Sequence, residues 1–427
     1  MDDHGLRRRS LLTAGLVTGA GAALAGCTTT EQPAPVRAEE PAFDPADWDS
    51  VRAQFPLDPD LVHLAAFVLA AHPRPVRDAI ERHRAGLDLD TDHYVHEHGS
   101  AEDDVRTAAA DYLATQPENI ALTDSTTMGL GLLYSGLKLR RGQEILTTEH
   151  DFFATTEALR LAAQRTGATV RRVRLYDDPA TADADEIVDR LRAAIRPATR
   201  VVAVTWVHSG TGVRLPIPAI GKAVAEANAG RAPAARALLC VDGVHGFGAV
   251  DADIGELGCD FLATGTHKWL FGPRGTGLLW GRSWDALAPL IPSFSADLGA
   301  GGVFTPGGYH SFEHRWAARE AFEFHQEIGR ARIAARIAEQ ATQLKEGLLG
   351  IDGIRLVTPA SPELSAGIVC CEVSGMDAFT ATVQLRQQHR ITASVTPYEQ
   401  QYLRFGPSMV TNPREIDRTI EAVAALV

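Results

Sequence analysis

The chain has 427 residues, 45% of them hydrophobic and 22% charged, with a formal net charge of −13. This length exceeds one ordinary hydrophobic core and predicts two domains, or one large domain with a smaller companion, and the composition excludes disorder over most of the chain. The acidic balance, with no basic face evident as a cluster, argues against a nucleic-acid binder, because neutralising phosphates requires such a face.

Residues 1–27, MDDHGLRRRSLLTAGLVTGAGAALAGC, place three arginines before an apolar stretch rich in Ala, Gly and Leu. That is the layout of an export signal. Arg8-Arg9-Ser10-Leu11-Leu12 resembles a twin-arginine signal, and Leu24-Ala25-Gly26-Cys27 resembles the lipobox at which bacterial lipoproteins are cleaved and lipidated on cysteine. A membrane-spanning anchor is the competing reading, but about 17 mostly small residues fall short of the roughly 20 that a span needs. Residues 28–45, rich in Thr, Pro and Glu, read as a flexible tether. Cys240, Cys259, Cys370 and Cys371 sit in or beside apolar runs as small hydrophobes, and their spacing matches neither a zinc site nor a disulfide framework.

Residues 56–87 read as an extended segment followed by a proline-started helix. From about residue 117, short β-like runs alternate with amphipathic helical stretches. The runs are NIALT (119–123), EILTT (144–148), TVRRVRL (169–175), RVVAVTWV (200–207), ALLCVDG (237–243), FLATGT (261–266) and GTGLLWG (275–281). Such alternation predicts a mostly parallel sheet between helices, with ligands beyond the carboxyl ends of the strands. One long helix is expected over 315–349, leading into a smaller α/β unit. The expected domains are 46–320, a large domain with the N-terminal segment, and 321–427, a small C-terminal one.

Four strand ends carry chemistry. In TDSTTMGLGLL (123–133) a strand ends and a helix begins, so Ser125, Thr126 and Thr127 with the helix N-terminus can cup a phosphate; ordinary N-capping is the alternative. TTEHDFFA (147–154) puts His150 past a strand end, where a flat ring could stack on a planar group; a solvated loop histidine is the alternative and the commoner outcome. LLCVDGVHG (238–246) ends an apolar strand in Asp242, a carboxylate that costs several kcal/mol to bury unless it meets a cation or a donor. THKW (266–269) sets Lys268 in an apolar stretch, where burial lowers an amine's pKa toward the nucleophilic form; a snorkelling lysine at a strand end is the alternative, and the better reading of this motif taken alone. Phosphate cup, flat ring, carboxylate and amine follow one another at spacings of roughly 25, 90 and 25 residues, all at the ligand-binding edge of such a sheet. Pyridoxal phosphate requires this conjunction: an anchor for its dianion, a face for its ring, an anion for its ring nitrogen and an amine for its aldehyde.

The run VDGVHGFGAVDADIGELGCDFLATGTHKWLFGPRGTGLLW resembles the class V branch of the fold-type I pyridoxal-phosphate enzymes, a group that contains cysteine desulfurases, kynureninase-like enzymes and isopenicillin N epimerase. The similarity spans about residues 55–425. It implies a large domain and a small one, with Lys268 condensing with the cofactor's aldehyde, Asp242 pairing with its ring nitrogen and His150 stacking on its ring. It also implies Ser125, Thr126, Thr127 and His267 around the phosphate, Thr266 among the cofactor-binding residues, and His245 near the phenolic oxygen. Histidine at 245, with Ser209 in HSGTG (208–212), resembles the isopenicillin N epimerase-like subgroup. YLRFGPSMVTNPREIDRTIEAV resembles the segment whose arginine holds a substrate α-carboxylate, which falls on Arg404; a surface arginine is the alternative.

The resemblance implies a pyridoxal-phosphate enzyme acting at the α-carbon or β-carbon of an amino acid, epimerase-like or aminotransferase-like. A lyase or decarboxylase, including oxygen-using variants, is the second reading, and an exported non-catalytic binder on the same fold is the third. The nucleophilic cysteine that desulfurases carry on a loop before the carboxylate arginine is missing from QHRITASVTPYEQQYLRF (388–405). Where epimerase-like members carry a Gly-Thr turn, this chain has YHSFEHRWAARE (309–320), so Glu313, His314 and Arg315 are either altered phosphate or substrate contacts or the cap of the long helix. The family further implies a homodimer.

Overall fold

The computed structural model describes residues 43–427, which fall in one compact unit. The expected signal at 1–27, and all but the last three residues of the expected tether at 28–45, lie outside the described residues. The large sheet has seven strands: β1 (Ile120–Thr123), β2 (Glu144–Thr148), β3 (Thr169–Val173), β4 (Thr199–Thr205), β5 (Leu238–Asp242), β6 (Phe261–Gly265) and β7 (Gly277–Gly281). Their order is β1-β7-β6-β5-β4-β2-β3, parallel except that β7 runs against both of its neighbours. Every expected β-like run forms one of these strands.

Near-continuous apolar runs are what a sheet covered on both faces requires. Alternate residues serve the two faces. Leu122, Val202, Val204, Leu239, Val241, Leu262 and Leu278 pack into one core. Ala121, Val201, Ala203, Cys240, Ala263 and Leu279, one residue out of step, pack into another. The second core holds helices α1 (Thr126–Gly136) and α2 (Phe153–Thr166). Only β3, an edge strand, is largely uncovered, and it carries Arg171 and Arg172.

The expected helix over 315–349 is instead three helices. A five-residue turn of helix at Phe312–Trp316 precedes α3 (Ala318–Ile328) and α4 (Arg330–Leu349). Gly329 separates the last two at φ +99°, a conformation glycine takes without steric cost, so one glycine inside an unbroken helical pattern ends the helix. Beyond α4 lies an antiparallel sheet of β8 (Ile354–Leu356), β9 (Val369–Val373), β10 (Ser394–Val395) and β11 (Leu403–Phe405), ordered β10-β11-β9-β8. Its core includes residues of α4 and of the last helix, α5 (Pro413–Ala424). Cys371 joins that core, while its neighbour Cys370 packs in a separate cluster with Phe67 and Trp269, as the alternation of a strand dictates.

Candidate active site

The carboxyl ends of β1, β4, β5 and β6 meet β10 and β11 of the second sheet around a cavity of about 450 Å³. Ser125, Thr126, Thr127, Ser209, Asp242, His245, His267, Lys268 and Arg404 all line it. Nine positions scattered over 280 residues of sequence are thus brought to one place.

At one end of the cavity α1 begins. Ser125 is its N-cap, with Oγ accepting the Met128 N–H at 3.2 Å, and the first-turn N–H groups beside the Thr126 and Thr127 side chains form a site for a dianion. The helix start sits directly on the sheet. A Cβ on Gly277 would come within 2.7 Å of the Thr264 carbonyl and 3.1 Å of the Ser125 carbonyl carbon, so only glycine permits this approach. His267, beside the cup, donates from Nδ1 to the Thr276 carbonyl at 3.1 Å, and burial holds its pKa below the usual value.

Asp242 closes β5 at 1% exposure. Its Oδ2 accepts from Thr155 Oγ1 and its Oδ1 from the Val244 N–H, each at 3.1 Å. Burial pushes its pKa up to about 6, against the pull of those two bonds and of Lys268. Burial pushes Lys268 down to about 8, Asp242's charge raises it and Arg404's lowers it, and among the described residues no hydrogen bond holds the amine. His245, also buried, accepts from the Trp269 indole N–H at 3.3 Å on Nδ1, so its own proton sits on Nε2. Burial keeps that imidazole well below its usual pKa, hence neutral, and a neutral Nε2–H can donate.

Arg404 closes the far side from β11. It donates to the Ser209 carbonyl at 2.8 Å and to Ser394 Oγ at 3.0 Å, and lies 4.8 Å from the centroid of the Phe67 ring. These contacts leave donors of its planar fork unused, which suits a carboxylate. Ser209 is gripped from the other side by Tyr398, hydroxyl to hydroxyl at 2.7 Å. Tyr398 lies against Gly210, where a Cβ would come within 2.9 Å of its ring.

Two expected residues are not in the cavity. His150 stacks on Tyr176, centroids 3.8 Å apart and planes 10° apart, and its Nε2 accepts the Leu175 N–H. The cause is Asp151, whose buried carboxylate accepts from Thr147 Oγ1, from the Thr148 N–H and hydroxyl, and from the Thr205 N–H and hydroxyl, at 2.7 to 2.9 Å. That grip fixes the turn after β2 with Phe152, not His150, on the cavity wall. Thr266 is buried behind the cavity, bonded to the Thr276 hydroxyl. Glu313, His314 and Arg315 lie in the short helix and do not line the cavity; Arg315 bridges Glu102 and Asp124, each at 3.2 Å, and so braces the residue preceding Ser125.

Sequence reading missed Asp151, Phe152, Thr155, Phe67, Ser394 and Tyr398. The aromatic pair in HDFFA was the one available signal, since two successive rings past a strand end place one on each side of the chain.

The donor set fits pyridoxal phosphate: a helix N-terminus for a dianion, a buried carboxylate whose raised pKa calls for a cationic partner, and an unbonded buried amine. Fold and cavity together define a pyridoxal-phosphate-dependent enzyme of fold-type I. The sequence matches the family of aminotransferase class-V proteins over residues 78–395, and the chain belongs to that family. It is 31% identical to isopenicillin N epimerase of Streptomyces clavuligerus over 89% of this chain and 98% of that protein, and 27% identical to the isopenicillin N epimerase of Amycolatopsis lactamdurans over the same shares. A structure of C-DES with glycine covalently linked to its pyridoxal-phosphate cofactor superposes with a TM-score of 0.80 at 21% identity, over 87% of this chain and 98% of that one, which shows the shared fold.

Proposed function

We propose that this enzyme moves a proton at the α-carbon of an amino-acid-like substrate, in the manner of an epimerase. Pyridoxal phosphate, when bound, supplies the electron sink that acidifies the Cα–H bond. Arg404 binds the α-carboxylate, steadied by Ser209 and Ser394. Asp242 holds the proton on the ring nitrogen and so keeps the sink open. Lys268 Nζ takes and returns the Cα proton, its depressed pKa placing it near the working range of a general base. His245 donates from Nε2, and the Ser125–Thr127 helix start with His267 holds the phosphate.

One observation carries this reading: Lys268, pushed down to about 8, and Asp242, pushed up to about 6, share one cavity with an arginine fork. Kinship with two epimerases favours proton transfer. Sulfur abstraction lacks a nucleophile among the described residues, since none of their cysteines lines the cavity, Cys370 and Cys371 are buried in β9, and burial raises both thiols.

The purified protein is expected to absorb near the visible edge, and Lys268→Ala to lose that band. In deuterium oxide the holoenzyme incorporates deuterium at Cα of its substrate without an acceptor keto acid. A colourless protein indifferent to the cofactor would favour the binder, and product formed only with a keto acid would favour the aminotransferase. The homodimer, export by the twin-arginine route and lipid anchoring at Cys27 belong to the same proposal, supported by family habit and by residues 1–27. Sedimentation at one chain per particle, or cell fractions with intact residues 1–27 in the cytosol, would oppose them.

A further inference from the structure

At the opposite edge of the large sheet lies a second cavity, of about 580 Å³, lined by Lys138, Arg140, Arg200, Arg236 and Arg282. In a chain of net charge −13 this is a local reversal of sign. About half of the arginines that make side-chain contacts among the described residues do so against carboxylates, as Arg171 does with Glu144 and Arg330 with Asp251 and Asp253. Among the described residues the five cations here form no such hydrogen-bonded pair, and Asp260 acts on Arg200 and Arg282 only through its charge. Lys138 donates to the Asp285 carbonyl at 2.9 Å, Arg282 to the Cys259 carbonyl at 2.9 and 3.1 Å, and Arg200 to the Arg236 carbonyl, all neutral acceptors. Two carboxylates also stand on the cavity wall: Asp260, whose Oδ2 accepts the Leu239 N–H and whose charge acts on Arg282 and Arg200, and Asp285, which accepts from the Ser283 hydroxyl, so five cations face two carboxylates and an excess of positive charge remains.

Cations also gather at helix C-termini, where they complement the dipole. That accounts for Lys138, two residues beyond the end of α1. It does not account for Arg200 inside β4, Arg236 before β5, or Arg282 after β7, which reach the cavity from strand ends. A concave site that concentrates positive potential and leaves guanidinium donors unsatisfied is suited to multiply charged oxyanions.

We infer that this cavity binds a phosphate-bearing anion of two or more charges, at a site separate from the catalytic cavity. Arg200 and Arg282, held in place by carbonyls, form its floor, and Arg140 and Arg236, both exposed, close over the ligand. The phosphate comes either from a free soluble ligand or from a lipid headgroup.

The test is calorimetric titration of inorganic pyrophosphate into the cofactor-loaded enzyme, with the catalytic phosphate cup already filled, beside flotation with vesicles of phosphatidylcholine containing cardiolipin, whose headgroup carries two phosphates, or of phosphatidylcholine alone. The comparison protein is the double variant Arg140→Gln, Arg236→Gln, whose exposed positions leave the fold and the visible band intact. Pyrophosphate binding at one site per chain, weakened at least tenfold in the variant, establishes a free-ligand site. Variant-sensitive binding to cardiolipin-containing vesicles alone establishes the lipid source. Absence of both, or equal binding by the variant, overturns the inference.

Discussion

The two edges of the large sheet use charge in opposite ways. At the carboxyl edge few ionisable groups are present, nearly all buried, and burial has moved them: Lys268 from 10.5 to about 8, Asp242 from 3.8 to about 6. At the amino edge the cations are more numerous, and Lys138, Arg140, Arg236 and Arg282 are exposed. Burial turns a charged group into a reagent by narrowing the gap between its protonation states, whereas exposure leaves it a fixed charge suited to attraction alone. The first arrangement is costly to keep and sensitive to single substitutions; the second is cheap and redundant.

The sharpest way to break this contrast is to neutralise the buried carboxylate. Asp242→Asn is expected to lower turnover at Cα by about 100- to 1000-fold, the equivalent of about 3–4 kcal/mol for removing one partner of a buried charged pair. Stability checks the same point without the cofactor. Because the folded-state pKa of Asp242 is raised, the folded form keeps a proton that the unfolded chain releases, so cofactor-free protein loses stability as pH rises from about 4 to about 6. Lys268, lowered in the folded state, has the opposite window: its penalty is present below about 8 and is relieved toward 10.5. Thermal melts across pH should show a fall, a plateau and a recovery in wild type. The fall should vanish in Asp242→Asn, and the recovery should begin at lower pH, since the charge that raises Lys268 is gone. Equal profiles for both proteins would mean that Asp242 is not the buried acid described.

What was legible in the sequence follows the same division. Strands buried on both faces announce themselves as apolar runs, and a polar residue at the end of such a run, Asp242 or Lys268, stands out because burial there demands a reason. The amino-edge cations gave no such signal. They are spread from Lys138 to Arg282, each ordinary in its own context, and only the winding of the whole sheet, with β4, β5 and β6 parallel and β7 returning against β6, brings them together. Tyr398 and Ser209 likewise meet across 189 positions, a pairing set by how the second sheet packs on the first. His150 shows a different limit. The turn that carries it was read correctly as lying past a strand end, but which side chain enters the cavity is decided by five donors converging on Asp151, and that is tertiary information.

That turn offers the finest test of the contrast, because it separates a ring that faces the cavity from a ring that supports the fold. Phe152 lines the cavity and meets Tyr398 edge to face, centroids 5.9 Å apart. His150 is held between the Leu175 N–H and the Tyr176 ring, with burial pushing its pKa down to about 3, so it remains neutral and stacked throughout the physiological range. An aromatic contact of this kind contributes about 0.5–1.5 kcal/mol. Phe152→Ala should therefore weaken cofactor retention by about two- to tenfold, read as the dissociation constant for pyridoxal phosphate, with a modest loss of melting temperature from its contacts with Tyr398 and the core beside α1 and α2. His150→Ala should show the opposite balance, lowering the melting temperature of the cofactor-free protein and leaving the dissociation constant within about twofold. Were His150→Ala instead the variant that released the cofactor, the turn after β2 would have to adopt in the loaded enzyme the arrangement implied by the sequence, with Asp151 surrendering its grip on Thr148 and Thr205.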